Sequence, residues 1–179
     1  MEIRELKQKE LKVLRNALRY FRAESFLRTH RFFIVDNKRK NIFMCTHDIY
    51  EMITELSSGI DFMWAGIKIG EMSSRKVRFT LEGAYYLAGK RNRIFVKPKG
   101  EMLFLYGRDV LASSVLSWDK DVKENDVVFV ANKHGDILGI GRLTHSPERI
   151  SNLEPHETAV KNLVDRGEYL RKNRLYDAF

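Results

Sequence analysis

Apolar residues recur at helical spacing from the start of the chain. Over residues 2–22, Ile3, Leu6, Leu11, Val13, Leu14, Ala17, Leu18 and Phe21 fall within an arc of about 160°, taking about 100° per residue. Arg4, Lys12, Arg15, Arg19 and Arg22 occupy about 80° of the opposite face, and Glu10 interrupts the apolar arc. This pattern predicts one amphipathic helix with a basic stripe. The period then shortens. Arg31–Val35 and Asn41–Cys45 read as strands, and Asp36-Asn37-Lys38-Arg39-Lys40 between them has hairpin-turn chemistry. Thr46 can cap a helix running through Glu55, with Ile49, Met52, Ile53 and Leu56 at helical spacing. A strand is expected over Met63–Ile69, between Gly59 and Gly70. Lys76-Val77-Arg78-Phe79 alternates and sets Lys76 and Arg78 on the exposed face of another strand. Thr80 with Glu82 opens a short helix that Gly89 can end.

The pattern changes after the apolar strand Ile94–Val96 and the first proline of the chain, Pro98, so a domain boundary is expected at Lys97-Pro98. Residues 1–97 then form an N-terminal α/β domain, a mostly antiparallel sheet with covering helices, and residues 98–179 a smaller, strand-rich domain. In the latter, Met102–Tyr106 is apolar and Gly107 is expected to open a short helical segment, Arg108–Ala112. Val127–Ala131 is a buried-strand run, His134-Gly135-Asp136 a turn, and Ile137–Leu143 a strand carrying two glycines. A last strand is expected within Leu153–Val164, followed by a basic tail.

Charge adds function to this outline. The 179 residues carry a net charge of +8 with a pI near 9.6, a balance that attracts polyanions. Residues 1–97 hold 20 Lys and Arg against 11 Asp and Glu, and residues 98–179 hold 12 against 13. Within the second segment, residues 161–174 are locally basic: Lys161, Arg166, Arg171, Lys172 and Arg174 face Asp165 and Glu168. Exposed rings able to stack on bases would come from Tyr85, Tyr86, Trp118, Tyr169 and Tyr176.

Catalytic signatures do not emerge. Gly139-Ile140-Gly141 lacks the third glycine and the following helix of a dinucleotide site. The five histidines show no metal-ligand pairing, and neither a phosphate-binding loop nor a methyl-donor turn is present. Cys45, the one cysteine, lies in the apolar run Ile42-Phe43-Met44-Cys45 and excludes a disulfide within the chain, which points to a reducing, intracellular setting. No apolar run approaches the roughly 20 residues a membrane helix needs. Neither cofactor, metal nor membrane is expected.

Phe104-Leu105-Tyr106-Gly107-Arg108-Asp109-Val110-Leu111, Val127–Val130, Leu138-Gly139-Ile140-Gly141 and Arg166-Gly167-Glu168-Tyr169-Leu170-Arg171 succeed one another in a recognisable order. In this the chain resembles the large-ribosomal-subunit biogenesis factors shared by archaea and eukaryotes. The resemblance implies an α+β protein whose C-terminal domain is a PUA β-pseudobarrel. It implies a non-catalytic, monomeric RNA-binding factor of pre-rRNA processing, cytoplasmic or nucleolar, with other assembly proteins as partners. The alternative is an RNA-modifying enzyme, or its accessory subunit, that docks RNA through the PUA domain. Carried onto this sequence, the resemblance points to Gly107, Arg108, Arg171 and Lys172 as RNA-binding residues, with Arg166 and Arg174 as neighbours and Lys161 in the same basic run. Arg15, Arg19, Arg22, Lys76 and Arg78 are secondary candidates on the N-terminal domain. Ala112-Ser113-Ser114 departs from the basic residue and glycine usual after the helix in that family, which puts that loop's phosphate contact in doubt.

Overall fold

A computed structural model describes residues 2–36, 39–56, 66–87 and 92–172. Asn37-Lys38, Gly59, the segment from Met63 to Ala65, Gly89, Arg174 and Tyr176 lie outside the described residues. The backbone contacts divide the chain into two units between Leu87 and Ala88.

The N-terminal unit is a five-stranded antiparallel sheet, β1 (Glu2–Glu5), β2 (Arg31–Asp36), β3 (Lys40–Cys45), β4 (Ile67–Met72) and β5 (Val77–Phe79), in that spatial order. Helices α1 (Gln8–Tyr20), α2 (Phe26–Thr29), α3 (His47–Leu56) and α4 (Leu81–Leu87) accompany it. Alternation sorts the strands' side chains onto two faces. Phe33, Val35, Phe43 and Cys45 pack with Ile53 of α3 on one of them. The other carries Ile34 and Ile42 and is the face from which Arg4 reaches Glu10 of α1; Leu14 and Leu18 of that helix are, like the two isoleucines, essentially without solvent contact. The Cys45 thiol is buried, and burial pushes its pKa up, which suits a packing residue rather than a nucleophile.

The single helix expected over 2–22 is therefore corrected. Its first residues form β1, with Ile3 opposite Val35 and Arg4 opposite Ile34. Ile3 fits a strand face as readily as a helical stripe, and the polar stretch Lys7–Lys9 hides the break between them. The residue that fixes the break is Glu10, the one interruption of the apolar stripe. Its carboxylate accepts from the Lys7 amide at 2.9 Å, closing the first turn of α1, and from Arg4 at 2.8 and 3.0 Å and Lys40 at 2.7 Å. Arg4 also donates to Asp36 at 2.9 Å, so α1 is tied to β1, β2 and β3 at one point. The Arg4 guanidinium, chiefly through its hydrogen bonds, holds the Glu10 carboxyl far below the usual carboxylate range against the opposing effect of burial.

A group depressed in this way stabilises the fold fully above its unfolded pKa of about 4.3 and loses that contribution as pH falls toward the folded value. Glu10→Gln is expected to lower stability by about 2 kcal/mol at neutral pH, less than for a wholly buried pair because Lys40 is solvated. The gap between variant and parent should narrow at about pH 3, and urea unfolding at the two pH values checks it. A gap of equal size at both would contradict this account of the network.

The C-terminal unit is a curled six-stranded sheet in the order β7 (Val110–Leu111), β11 (Thr158–Asp165), β10 (Ile137–Leu143), β9 (Val127–Ala131), β6 (Arg93–Val96) and β8 (Val115–Trp118). All pairs are antiparallel except β6 with β9. Register shifts interrupt the β10–β11, β10–β9, β11–β7 and β6–β8 pairings, and such bulges let a sheet curl on itself. The α5 (Pro98–Leu105), α6 (Pro147–Ile150) and α7 (Glu168–Lys172) helices and a 3-10 turn at Ala112–Ser114 complete the unit. Ile94, Val96, Phe104, Val110, Val128, Val130, Leu143 and Val160 form the core. The fold class is as expected, α+β with a mostly antiparallel N-terminal sheet and a curled C-terminal one.

Several details differ. Because β6 is inserted between β9 and β8, residues 93–96 belong to the second unit, ahead of the boundary expected at Lys97-Pro98. Charge divides accordingly: 16 Lys and Arg against 11 Asp and Glu in residues 1–87, and 16 against 13 in residues 88–179. Both units are thus basic. The apolar stretch Met102–Tyr106 covers the end of α5, which starts with Pro98 in its first turn. Gly107 closes that helix rather than opening another: its φ of 81° and the bonds from its amide to the Phe104 carbonyl and from the Arg108 amide to the Leu103 carbonyl form a C-terminal cap. The chain beyond it forms β7 and the 3-10 turn, not a helix over Arg108–Ala112. The final strand begins at Thr158 rather than near Leu153.

Candidate nucleic-acid interface

The end of α5 is held by the last strand and helix of the C-terminal unit. Asn162 in β11 donates through Nδ2 to the carbonyls of Phe104 (3.0 Å) and Arg108 (3.3 Å) and to Asp165 Oδ2 (3.1 Å), and its own amide donates to Asp109 Oδ1 at 2.8 Å. Arg171 in α7 donates in a fork to Asp165, 3.0 Å to Oδ1 and 2.8 Å to Oδ2, and also to the Leu105 carbonyl. The Asp165 side chain is 3% exposed and that of Arg171 39%. Asp165 raises the Arg171 pKa further, chiefly by hydrogen bonding. Two glycines let the parts meet. A Cβ on Gly167 would lie 1.8 Å from the Leu105 carbonyl oxygen, and one on Gly107 would lie 3.1 Å from Arg171 Nη2. Carbonyls that a helix end leaves without partners are thus satisfied by Asn162 and Arg171.

This clamp reassigns several sequence candidates. Gly107 and Arg171 are brought together, but the Arg171 guanidinium is spent on Asp165 and Leu105. The amides of Gly107 and Arg108 are spent on the α5 cap. The free helix-start N–H groups expected at Gly107 are therefore absent among the described residues. Arg108 and Arg166 flank the clamp with exposed side chains that have no hydrogen-bond or ion-pair partner among the described residues. Lys161 is equally exposed and without such a partner, but alternation puts it on the strand face opposite Asn162. There it stands across from Arg142 in β10. Arg142 is exposed and donates to the Asn125 carbonyl at 3.0 Å. Sequence reasoning misses it, because only the register of two strands makes it a neighbour of Lys161. The Lys172 side chain and Arg174 lie outside what the structure describes.

Tyr106 directly precedes Gly107 and Tyr169 lies two residues before Arg171, and they are 69% and 49% accessible. Trp118 is instead partly buried and packs against the core. The Ser113 carbonyl accepts from Lys97 Nζ at 2.7 Å, which brings one cation to the Ala112–Ser114 turn that lacks its own.

On the N-terminal unit the basic stripe is partly real. Lys12 and Arg15 are exposed on α1 without a side-chain partner among the described residues, and Arg19 pairs with Glu24 at 3.1 Å. Arg4 is excluded by its bonds to Glu10 and Asp36, and Arg22 sits beyond the helix with a φ of 54°. Arg78 is exposed opposite Glu71 in β4, and Lys76 is exposed just before β5. Among the described residues no group of three or more His, Cys, Asp or Glu could hold a metal ion.

Comparison with known proteins gives a consistent picture for both units. The model of the UPF0113 PUA domain matches residues 92–174, and that of the NIP7/UPF0113 pre-PUA domain matches residues 3–82. A UPF0113 protein of Archaeoglobus fulgidus is 43% identical over 180 aligned positions, covering all of both chains. The 60S ribosome subunit biogenesis protein NIP7 of Saccharomyces cerevisiae is 28% identical over 94% of this chain and 96% of its own. A conserved PUA domain protein of Thermoplasma acidophilum shares the fold, with a TM-score of 0.64 over 96% of this chain and 98% of that one at 14% identity.

Proposed function

Because the chain belongs to the NIP7/UPF0113 family, we propose that it is an RNA-binding factor of large-ribosomal-subunit assembly that acts without catalysis. The yeast relative is by its name a 60S subunit biogenesis protein. The observation that carries the reading to this chain is the group of exposed cations around the clamp. The side chains of Arg108 and Arg166, and that of Lys161 on the other face of β11, have no hydrogen-bond or ion-pair partner among the described residues and are open to phosphates. The clamp fixes the loop that carries Arg108, so a phosphate contact there loses little additional entropy. Exposed Tyr106 and Tyr169 can add stacking on unpaired bases, the usual route to single-stranded or loop RNA.

In this reading pre-rRNA is the ligand, other assembly proteins are the partners, and the chain works as a monomer in the cytoplasm, or in the nucleolus of a eukaryote. Among the described residues no helix is long and apolar enough to cross a membrane. Crosslinking in cells and sequencing of the attached RNA tests the proposal. Reads concentrated on precursors of the large-subunit RNA are expected, and reads spread over messenger or small-subunit RNA would overturn it.

A further inference from the structure

A set of aromatic rings on the N-terminal unit has no role in that reading. Tyr20 at the end of α1 meets Phe21 at 4.8 Å, and Phe21 meets Phe79 of β5 at 5.5 Å. Across the turn between α1 and α2, Phe26 meets Tyr86 of α4 at 6.5 Å, and Tyr86 meets Tyr85 at 5.6 Å. Phe21, Phe26 and Phe79 are each half-buried, while Tyr20, Tyr85 and Tyr86 remain 46%, 62% and 38% exposed. Rings held edge-on by other rings are rigid, and each exposed tyrosine offers part of its surface to a flat partner at small entropic cost.

The surroundings favour an anion. Residues 15–30 carry Arg15, Arg19, Arg22 and Arg28 against one acid, Glu24, which Arg19 already neutralises. Arg28 is exposed two residues from Phe26, with no side-chain partner among the described residues. The other acid close in sequence to these rings is Glu82, in the first turn of α4. Among the described residues, the same unit's other large exposed apolar side chains, Ile49, Met52 and Leu56, lie on α3 among Asp48, Glu51 and Glu55, where a polyanion is repelled. The aromatic surface combines what a single strand needs: π-faces for its bases and guanidinium groups for its phosphates.

We propose that Tyr20, Tyr85 and Tyr86 form a stacking surface for unpaired RNA bases, with Arg28, on the short helix that carries Phe26, supplying a phosphate contact. It belongs to the N-terminal unit, and it rests on the RNA-binding reading above. Stacking predicts a particular thermodynamic behaviour. Loss of a stacked ring weakens binding equally at every salt concentration, because no counterion is released at that contact. Loss of Arg28 flattens the salt dependence.

The test is fluorescence anisotropy of the full chain with a short fluorescein-labelled oligouridine at several salt concentrations. Tyr85→Ala is the informative variant, because Tyr85 is the most exposed of the three and its removal leaves the Phe26–Tyr86 packing in place. It should bind about tenfold more weakly with an unchanged salt slope, whereas Tyr85→Phe stays within about twofold of the parent. Arg28→Ala should lower the slope by about 0.7. Photocrosslinking of a 4-thiouridine oligonucleotide should map to the peptide that contains Tyr85. A Tyr85→Ala variant that binds like the parent, together with no crosslink in that peptide, would remove the stacking surface and leave the C-terminal reading intact. A parent chain that does not bind the oligonucleotide would remove both.

Discussion

Replacing Asp165 with alanine is expected to lower the stability of the C-terminal unit by about 2 kcal/mol, one of the largest effects of any polar substitution in that unit. The carboxylate is buried and accepts three hydrogen bonds, two from Arg171 and one from Asn162. Its loss strips Asn162 and Arg171 of the partner that aims them at the end of α5. The cost stays below that of breaking a wholly buried pair, because the Arg171 guanidinium keeps access to water once released. Gly167→Ala should destabilise the same junction by a different route, since the added methyl cannot coexist with the Leu105 carbonyl and α7 must move. Urea unfolding monitored by tryptophan fluorescence reads both. A midpoint unchanged in Asp165→Ala would mean that the clamp does not stabilise the unit.

The clamp is hard to read from sequence for a physical reason. Strands such as Val127–Ala131 and Ile137–Leu143 announce themselves locally, through apolar, β-branched runs between turn residues. The clamp joins residues 53 to 66 positions apart, and nothing local to Asn162 or Asp165 signals it. The family resemblance points to Arg171 as an RNA ligand. Its charge and position suit that role, but its guanidinium has an intramolecular carboxylate to bind. Gly107 differs in direction from its sequence reading. Pro98 at the start of an apolar stretch and a glycine just past its end are the ordinary marks of one helix from 98 to 105, whereas the apolar run alone suggests a strand. On the N-terminal unit, the stripe from Arg4 to Arg22 spans a strand, a helix and a turn, so only its middle survives as an exposed basic face.

The same differences decide which residues should be removed to locate RNA binding. Arg171, Lys172 and Arg174 are the natural set by sequence. Arg171 belongs to the structure, however, and its loss would confuse unfolding with lost contact. Arg108, Lys161 and Arg166 are the better set, because none of their side chains has a hydrogen-bond or ion-pair partner among the described residues. On the N-terminal helix, Lys12, Arg15 and Arg19 make the matched control. Arg22 is left out, since it lies beyond the end of α1 and not on its exposed face.

The most direct test of C-terminal RNA binding compares these two triple alanine variants in the salt dependence of affinity for a short single-stranded RNA, after both are shown to melt like the parent. Each lost phosphate contact reduces the slope of log K against log salt by about 0.7, so the Arg108, Lys161 and Arg166 variant should flatten it by about two and bind markedly more weakly. The Lys12, Arg15 and Arg19 variant should change the slope by less than half as much. A larger loss in the helix variant than in the C-terminal one would contradict the account and move the principal RNA contact to the N-terminal unit.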